Sequence, residues 1–169
     1  MSNLDNKINA LIKGVKAKCI SSEEIFNGNF ITLIRESYIL PNNKILNRER
    51  IIKNKNKQAV IIIAITTENK FLIVSQNRIN DIVSLEFPSG YVEKGENVIE
   101  TTQRELLEET GYTSNNIKKI DSYYTSIGID SSIVNIVIAY DCIKVSDQNL
   151  GETEYIKYNN NVIRSKKRC

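Results

Sequence analysis

Three glutamates limit the chemistry open to this chain. In residues 90–112, GYVEKGENVIETTQRELLEETGY, Glu105, Glu108 and Glu109 follow one another at helical spacing. At about 100° per residue they fall within one narrow stripe of a helix surface. Like charges three and four residues apart repel, so the stripe calls for a compensating charge. Arg104 is one candidate. A divalent cation is the other, and hard oxygen ligands suit Mg2+ or Mn2+ better than zinc or copper. Ile99, Leu106, Leu107 and Thr110 project from the opposite face, which predicts a helix with one side in a core and the other toward a cleft. Gly111 stands where a left-handed cap would end the helix, and Gly90 and Gly95 where the preceding loop must turn. Read from residue types alone, the alternative is a solvated helix whose glutamates serve solubility.

The composition narrows the chemistry further. The chain has 169 residues, a net charge of +3 and no histidine. That length predicts one domain's worth of core, and the mild charge gives no case for nucleic acid as the primary partner. Without histidine, Ser-His-Asp and Cys-His nucleophiles and histidine-bound zinc are excluded, leaving carboxylates, lysine, tyrosine and metal. Cys19, Cys142 and Cys169 are odd in number and lack metal-ligand spacing, so they read as free thiols of a reducing compartment. No apolar run approaches the ~20 residues of a membrane span. The polar start, MSNLDNKINA, lacks a signal-peptide core, so the expected location is cytoplasmic.

The spacing around the glutamates is itself informative. Gly90, five residues, Glu96, seven residues and then Arg104-Glu105-Leu106-Leu107-Glu108-Glu109-Thr110-Gly111-Tyr112 match G-x5-E-x7-R-E-U-x-E-E-x-G-U at every fixed position, with Tyr112 a mild departure at the last apolar place. The signature has many positions, so a chance match is improbable. On these 23 of 169 residues the chain resembles a Nudix hydrolase. The resemblance implies cleavage of a nucleoside diphosphate linked to a further group. It also implies an α+β fold, an α/β/α sandwich with a mixed β-sheet and an N-terminal β-hairpin.

The elements that must carry the box can be read in order. Residues 1–29 read as a short helix or an arm. Residues 30–39 and 44–52 read as strands joined at Pro41-Asn42-Asn43, forming a hairpin. Residues 59–65, AVIIIAI, read as a strand buried on both faces, and residues 71–75 as a second core strand beside it. Strands are also expected at 117–124 and 133–140, the latter extending or turning out through 141–145. The expected division is 1–52, an N-terminal arm and hairpin, and 53–169, the hydrolase domain. The wording of the hairpin is similar to the ADP-ribose pyrophosphatase branch of the family, where such strands pack across a two-fold axis; this implies a homodimer.

The same resemblance assigns roles to particular residues. Arg78 follows Gln76-Asn77 where the branch carries a substrate-contacting arginine, with a surface ion pair as the alternative. Glu86 is either a substrate-contacting carboxylate or a strand-end charge. Leu85-Glu86-Phe87-Pro88-Ser89-Gly90 is similar to the branch's lead-in to the box, where the main-chain carbonyl at Ser89 joins the metal shell. Glu105 and Glu109 are the implied direct ligands, with Glu108 direct or through water. Arg104 orients the glutamates, and Glu96 holds the loop or Arg104. Past the box, Tyr124, Ser126 and Gly128 keep the framework of a loop placed over substrate, although Ile127 stands where the branch has its marker proline. Glu154, in preference to Glu152, is the implied general base of an acidic loop. The tail, NNNVIRSKKRC, is basic and looks abbreviated beside relatives that continue into a helix.

These readings converge on a Mg2+-dependent pyrophosphatase for ADP-ribose or a similar nucleoside diphosphate sugar. A nucleoside triphosphate pyrophosphatase of the same fold and a nucleotide-sensing domain without turnover are the alternatives.

Overall fold

The computed structural model describes residues 15–78, 82–152 and 154–159. The described residues form two compact units, one reaching Asn56 and including 125–132, the other comprising 57–124 and 133 onward.

The first unit is an antiparallel sheet in the order β1 (Lys18–Asn27), β2 (Ile31–Ile39), β3 (Ile45–Lys53). The expected hairpin is β2–β3, turned where Asn43 takes a positive φ of 62° and the Leu40 carbonyl accepts its N–H at 2.9 Å. β1 corrects the reading of residues 1–29, since 18–27 form neither a helix nor an arm. Every residue of β1 is exposed, so backbone pairing with β2 holds it rather than burial, and no apolar period marked it. The segment 125–132 belongs to this unit through an acid. Asp130, 3% exposed, accepts from Lys53 Nζ at 2.6 Å, Ser132 Oγ at 2.6 Å, Ser132 N–H at 2.8 Å and Thr125 Oγ1 at 3.0 Å. Burial alone would raise its carboxyl, but these donors outweigh burial and hold it well below the ordinary value. A 3-10 turn over Asn54–Asn56 places three successive non-glycine residues at positive φ.

The second unit holds the mixed sheet. β4 (Ala59–Thr66) pairs in parallel with β10 (Ile133–Lys144) and antiparallel with β7 (Ser89–Tyr91). β8 (Tyr112–Thr113) and β9 (Asn116–Tyr124) both join β10. β10 runs on through Asp141, whose positive φ of 54° marks an irregularity in its ladder with β4. In β4, Val60, Ile62 and Ala64 are fully buried whereas Ile61, Ile63 and Ile65 are only partly so; the strand is core on one face, not two.

The run 71–75 meets β4 only at its start, where Phe71 bridges Ile65. After a turn in which Asn69 adopts φ 58°, Leu72 N–H returns to the Ala64 carbonyl at 3.0 Å. The chain then leaves as β5 (Ile73–Asn77), the middle strand of a separate antiparallel sheet between β6 (Val83–Glu86) and β11 (Ile156–Asn159). Each of the two apolar runs is therefore an inner strand of its own sheet.

Helix α1 (Val98–Thr110) packs against strands of both sheets. Asn97 caps it, accepting from Ile99 and Glu100 N–H at 2.9 and 3.1 Å, while the Glu100 carboxylate returns to Asn97 N–H at 2.8 Å, a capping box. Gly111 ends it at φ 72°. The buried face differs from expectation. Leu106 and Thr110 are buried as read, but Ile99 and Leu107 are more than a third exposed, and Thr101 and Thr102 take the inner positions. Threonine can do this because its hydroxyl is satisfied locally, Thr102 by the Val98 carbonyl at 2.7 Å and Thr101 by Glu96 at 2.9 Å. The core joins Leu106 to Val60, Ile62, Ala64, Leu72, Tyr112, Ala139 and Cys142. Among the described residues no helix is long and apolar enough to cross a membrane. The expectations for the basic tail and Cys169 fall outside the described residues; Cys142 is buried and Cys19 exposed, both unpaired thiols.

Asp130→Asn should destabilise the protein by about 1–3 kcal/mol near neutral pH, because four donors lose an anionic acceptor. A carboxyl with a depressed folded pKa stabilises above its unfolded value and loses that contribution as pH falls, so the gap to wild type should close below pH ~4. Denaturant unfolding at neutral and strongly acidic pH measures both; an unchanged gap would refute the assignment.

Candidate active site

α1 presents its acidic stripe to a cavity of about 500 Å³ in the second unit. Ser89, Gly90, Arg104, Glu105, Glu108 and Glu109 line it, together with Arg78 from the end of β5 and Glu154 from the turn before β11. The cavity thus joins the box to two residues far from it in sequence.

Arg104 organises one side. Its guanidinium donates to Glu96 Oε1 at 2.7 Å and Oε2 at 3.0 Å, to Glu105 at 2.7 Å, to Glu108 at 3.1 Å and to the Tyr91 carbonyl at 3.0 Å. Arg104 brings Glu96 down to about 2, helped by Thr101 and the Glu93 N–H, so Glu96 serves as the expected anchor of loop and arginine.

The other two inward carboxylates are shifted the opposite way. Burial raises Glu105, with Arg104 opposing and the charges of Glu108 and Glu154 adding to the rise. Burial pushes Glu109 up to about 8; the Ser89 N–H, donating at 2.9 Å, opposes this, whereas Glu105 and Glu154 reinforce it. Acids raised by burial and by neighbouring charge in this way make a site short of positive charge.

Gly90 shows how tightly this cradle is built, since a Cβ there would stand 1.9 Å from Glu105 Oε1. Gly95, by contrast, is required by its φ of 94°, with open space around it.

Arg78 and Glu86 form a forked ion pair, with Nε to Oε1 at 2.8 Å and the second arm to Oε2, and the arginine lowers the Glu86 carboxyl. Arg78 lines the cavity while Glu86 stands outside the lining as its counter-ion. Glu154 folds back so that its carboxylate accepts from Gly151 N–H at 2.9 Å. Ser126 and Gly128 lie in the first unit, where the Ser126 carbonyl accepts from Ile129 and Asp130 N–H. Gln76, Tyr91 and Glu93 also line the cavity. No sequence signal marks them: Tyr91 and Glu93 occupy variable places of the box, and Gln76 is set apart only by standing near Arg78.

Whether the donor set fits a divalent ion can be tested on these groups. As they stand, no three acidic or cysteine side chains among the described residues converge as a ready-made cage, because Arg104 draws Glu105 and Glu108 to itself. The chemistry of the set nevertheless fits. All of its donors are oxygens, Glu109 is a buried carboxylate raised by that burial, and the partly buried Glu105 is fitted against Gly90.

A family model described as NUDIX domain matches residues 55–158. The chain is 37% identical over 148 residues to the ADP-ribose pyrophosphatase of Bacillus subtilis (strain 168), an alignment covering 86% of this chain and 78% of that protein. It is 36% identical over 141 residues to the methanol dehydrogenase activator of Bacillus methanolicus, covering 82% and 75%. A solved structure of an ADP compounds hydrolase superposes with a TM-score of 0.72 at 23% identity, covering 85% of this chain and 77% of that one, a likeness of fold.

Gly90→Ala should shift the Glu105 carboxylate and destabilise the protein by about 1–3 kcal/mol, the usual consequence of overpacking. Thermal unfolding and a crystal structure of the variant check this; an unmoved Glu105 would refute the close approach.

Proposed function

Since the chain belongs to the NUDIX family and is a pyrophosphohydrolase, we propose that its substrate is ADP-ribose or a related nucleoside diphosphate sugar, cleaved with Mg2+ or Mn2+ to a nucleoside monophosphate and a sugar phosphate. The observation that carries this reading is the set of carboxylates gathered beside Arg78 in one cavity, where burial raises Glu105 and Glu109. Its volume of about 500 Å³ suits a nucleotide-sized ligand. Similarity to an ADP-ribose pyrophosphatase over most of both chains supports the substrate class.

Glu105, Glu109, Glu108 and the Ser89 main-chain carbonyl would hold the cation. When bound, it supplies the positive charge that an anionic diphosphate needs beside these acids and acidifies water. The remaining work falls to the chain's own groups. Arg104 keeps Glu105 and Glu108 on the cavity wall and spans them to Glu96. Arg78 offers a planar fork to a phosphate, pre-oriented by Glu86. Glu154 accepts the proton of the attacking water. Residues 53–169 make up the catalytic domain on this reading. The strands before it, which expose Phe26 and Ile45, pair two chains as a homodimer in the cytoplasm.

A panel of ADP-ribose, GDP-mannose, UDP-glucose, NADH and triphosphates, with and without Mg2+, tests the assignment; no Mg2+-dependent turnover of any diphosphate would reject it. Glu109→Gln should lower turnover at least ~100-fold. The same change should raise stability in chelator. A carboxyl whose folded pKa is raised penalises folding increasingly from its unfolded value near 4.5 up to about 8, where the penalty is complete. Above that pH the metal-free variant should be more stable by roughly 1–3 kcal/mol. Added Mg2+ should stabilise wild type more than the variant, as thermal melts would show.

A further inference from the structure

A helix leaves its last carbonyls without intrahelical donors. At the end of α1 that carries Glu108 and Glu109, one short segment supplies them. Asn149 N–H donates to the Glu108 carbonyl at 2.9 Å, Gln148 Nε2 to the Glu109 carbonyl and Lys144 Nζ to the Thr110 carbonyl at 2.9 Å. Val145 and Ser146 N–H follow on the Gly111 carbonyl at 2.9 and 3.2 Å.

Gln148 does more than cap. The same Nε2 also donates to the Ile156 carbonyl at 3.2 Å, at the first residue of β11. An amide nitrogen carries two hydrogens, and both partners are carbonyls that can only accept, so the network itself determines the orientation of the amide. Ile156 is buried and paired with Gln76, so it is a firm anchor. Between Gln148 and Ile156 lies the turn in which Gly151 and Glu154 bond to each other, Glu154 N–H to the Gly151 carbonyl at 3.0 Å. The Gln148–Ile156 bond therefore closes the neck of the loop that presents Glu154. Lys144 also reaches β11, over the Tyr158 ring at 4.2 Å, two residues further from Glu154.

We infer that Gln148 is a positioning residue: one amide nitrogen ties the neck of the loop carrying Glu154 to the helix end carrying Glu109, fixing the separation of the two acids. This rests on the reading of those acids as members of one catalytic site. Glutamine suits the place because its fork meets two carbonyls without adding charge beside three carboxylates; glutamate would repel both carbonyls, and methionine would fill the volume while meeting neither.

The test compares Gln148→Met with Lys144→Met, which removes a cap from the same helix end but not the neck of the loop. In Gln148→Met, kcat for ADP-ribose with Mg2+ should fall ~10-fold or more with KM within about 2-fold, as expected when reacting groups are misplaced rather than lost. Amide exchange at Gly151 and Glu154 should accelerate by ~10-fold or more, reporting local opening. Lys144→Met should lower Tm while leaving kcat and those two exchange rates at wild-type values. Should Gln148→Met fail to fold, Gln148→Ser, which leaves room for water at both carbonyls, should show the same split. Unchanged exchange at Gly151 and Glu154 in the folded Gln148 variant overturns the inference, whatever the activity. So does equal acceleration in Lys144→Met, which would make the effect a general loosening of the helix end. A wild-type chain that turns over no diphosphate rejects the functional reading instead, and the exchange comparison still decides the role of Gln148.

Discussion

The repulsion among carboxylates gathered on one wall of a cavity is the constraint around which the second unit is arranged. Glu109 is buried and Glu105 partly so, Glu154 lines the same cavity, and burial together with the charge of neighbouring acids raises the first two from their ordinary value. Such a cluster lowers the stability of a fold unless something positive answers it. Arg104 answers part of it, spanning Glu96, Glu105 and Glu108 with one guanidinium. It leaves Glu109 with a single backbone donor from Ser89. The remaining charge demand lies on the cavity wall, where an anionic substrate would need it met as well.

Holding acids at short range takes rigid ends as much as a rigid middle. α1 begins with a reciprocal cap between Asn97 and Glu100 and ends on Gly111 in the left-handed region. Its last carbonyls receive donors from residues 144–149, so strain from the acidic stripe is not relieved by fraying. Beneath it, Leu106, Thr102 and Thr110 lie against the sheet, and the threonine hydroxyls turn back to the helix's own carbonyls. On the acidic side, the Glu105 carboxylate takes the place that a side chain on Gly90 would fill.

β1 went unseen because an exposed strand held by its neighbour's backbone carries no apolar period. Ile99 and Leu107 were assigned to the core on hydrophobicity, yet threonines with locally satisfied hydroxyls occupy it. The runs at 59–65 and 71–75 were both recognised as strands, but their partners could not be, because pairing depends on the turn at Thr66–Lys70 and on where β10 and β11 return.

The sequence by itself determined the local terms: the acidic stripe, the loop glycines, the glycine cap that ends α1, the absence of histidine and the family to which the box belongs, since each depends on residues a few positions apart. Tertiary structure alone decided which distant groups join them. Arg78 reaches the cavity with Glu86 at its back, Glu154 arrives from beyond β10, and Gln148 bridges two carbonyls eight residues and more away. Those contacts are set by strand pairing and helix burial summed over the whole unit, and no short window of sequence contains both partners.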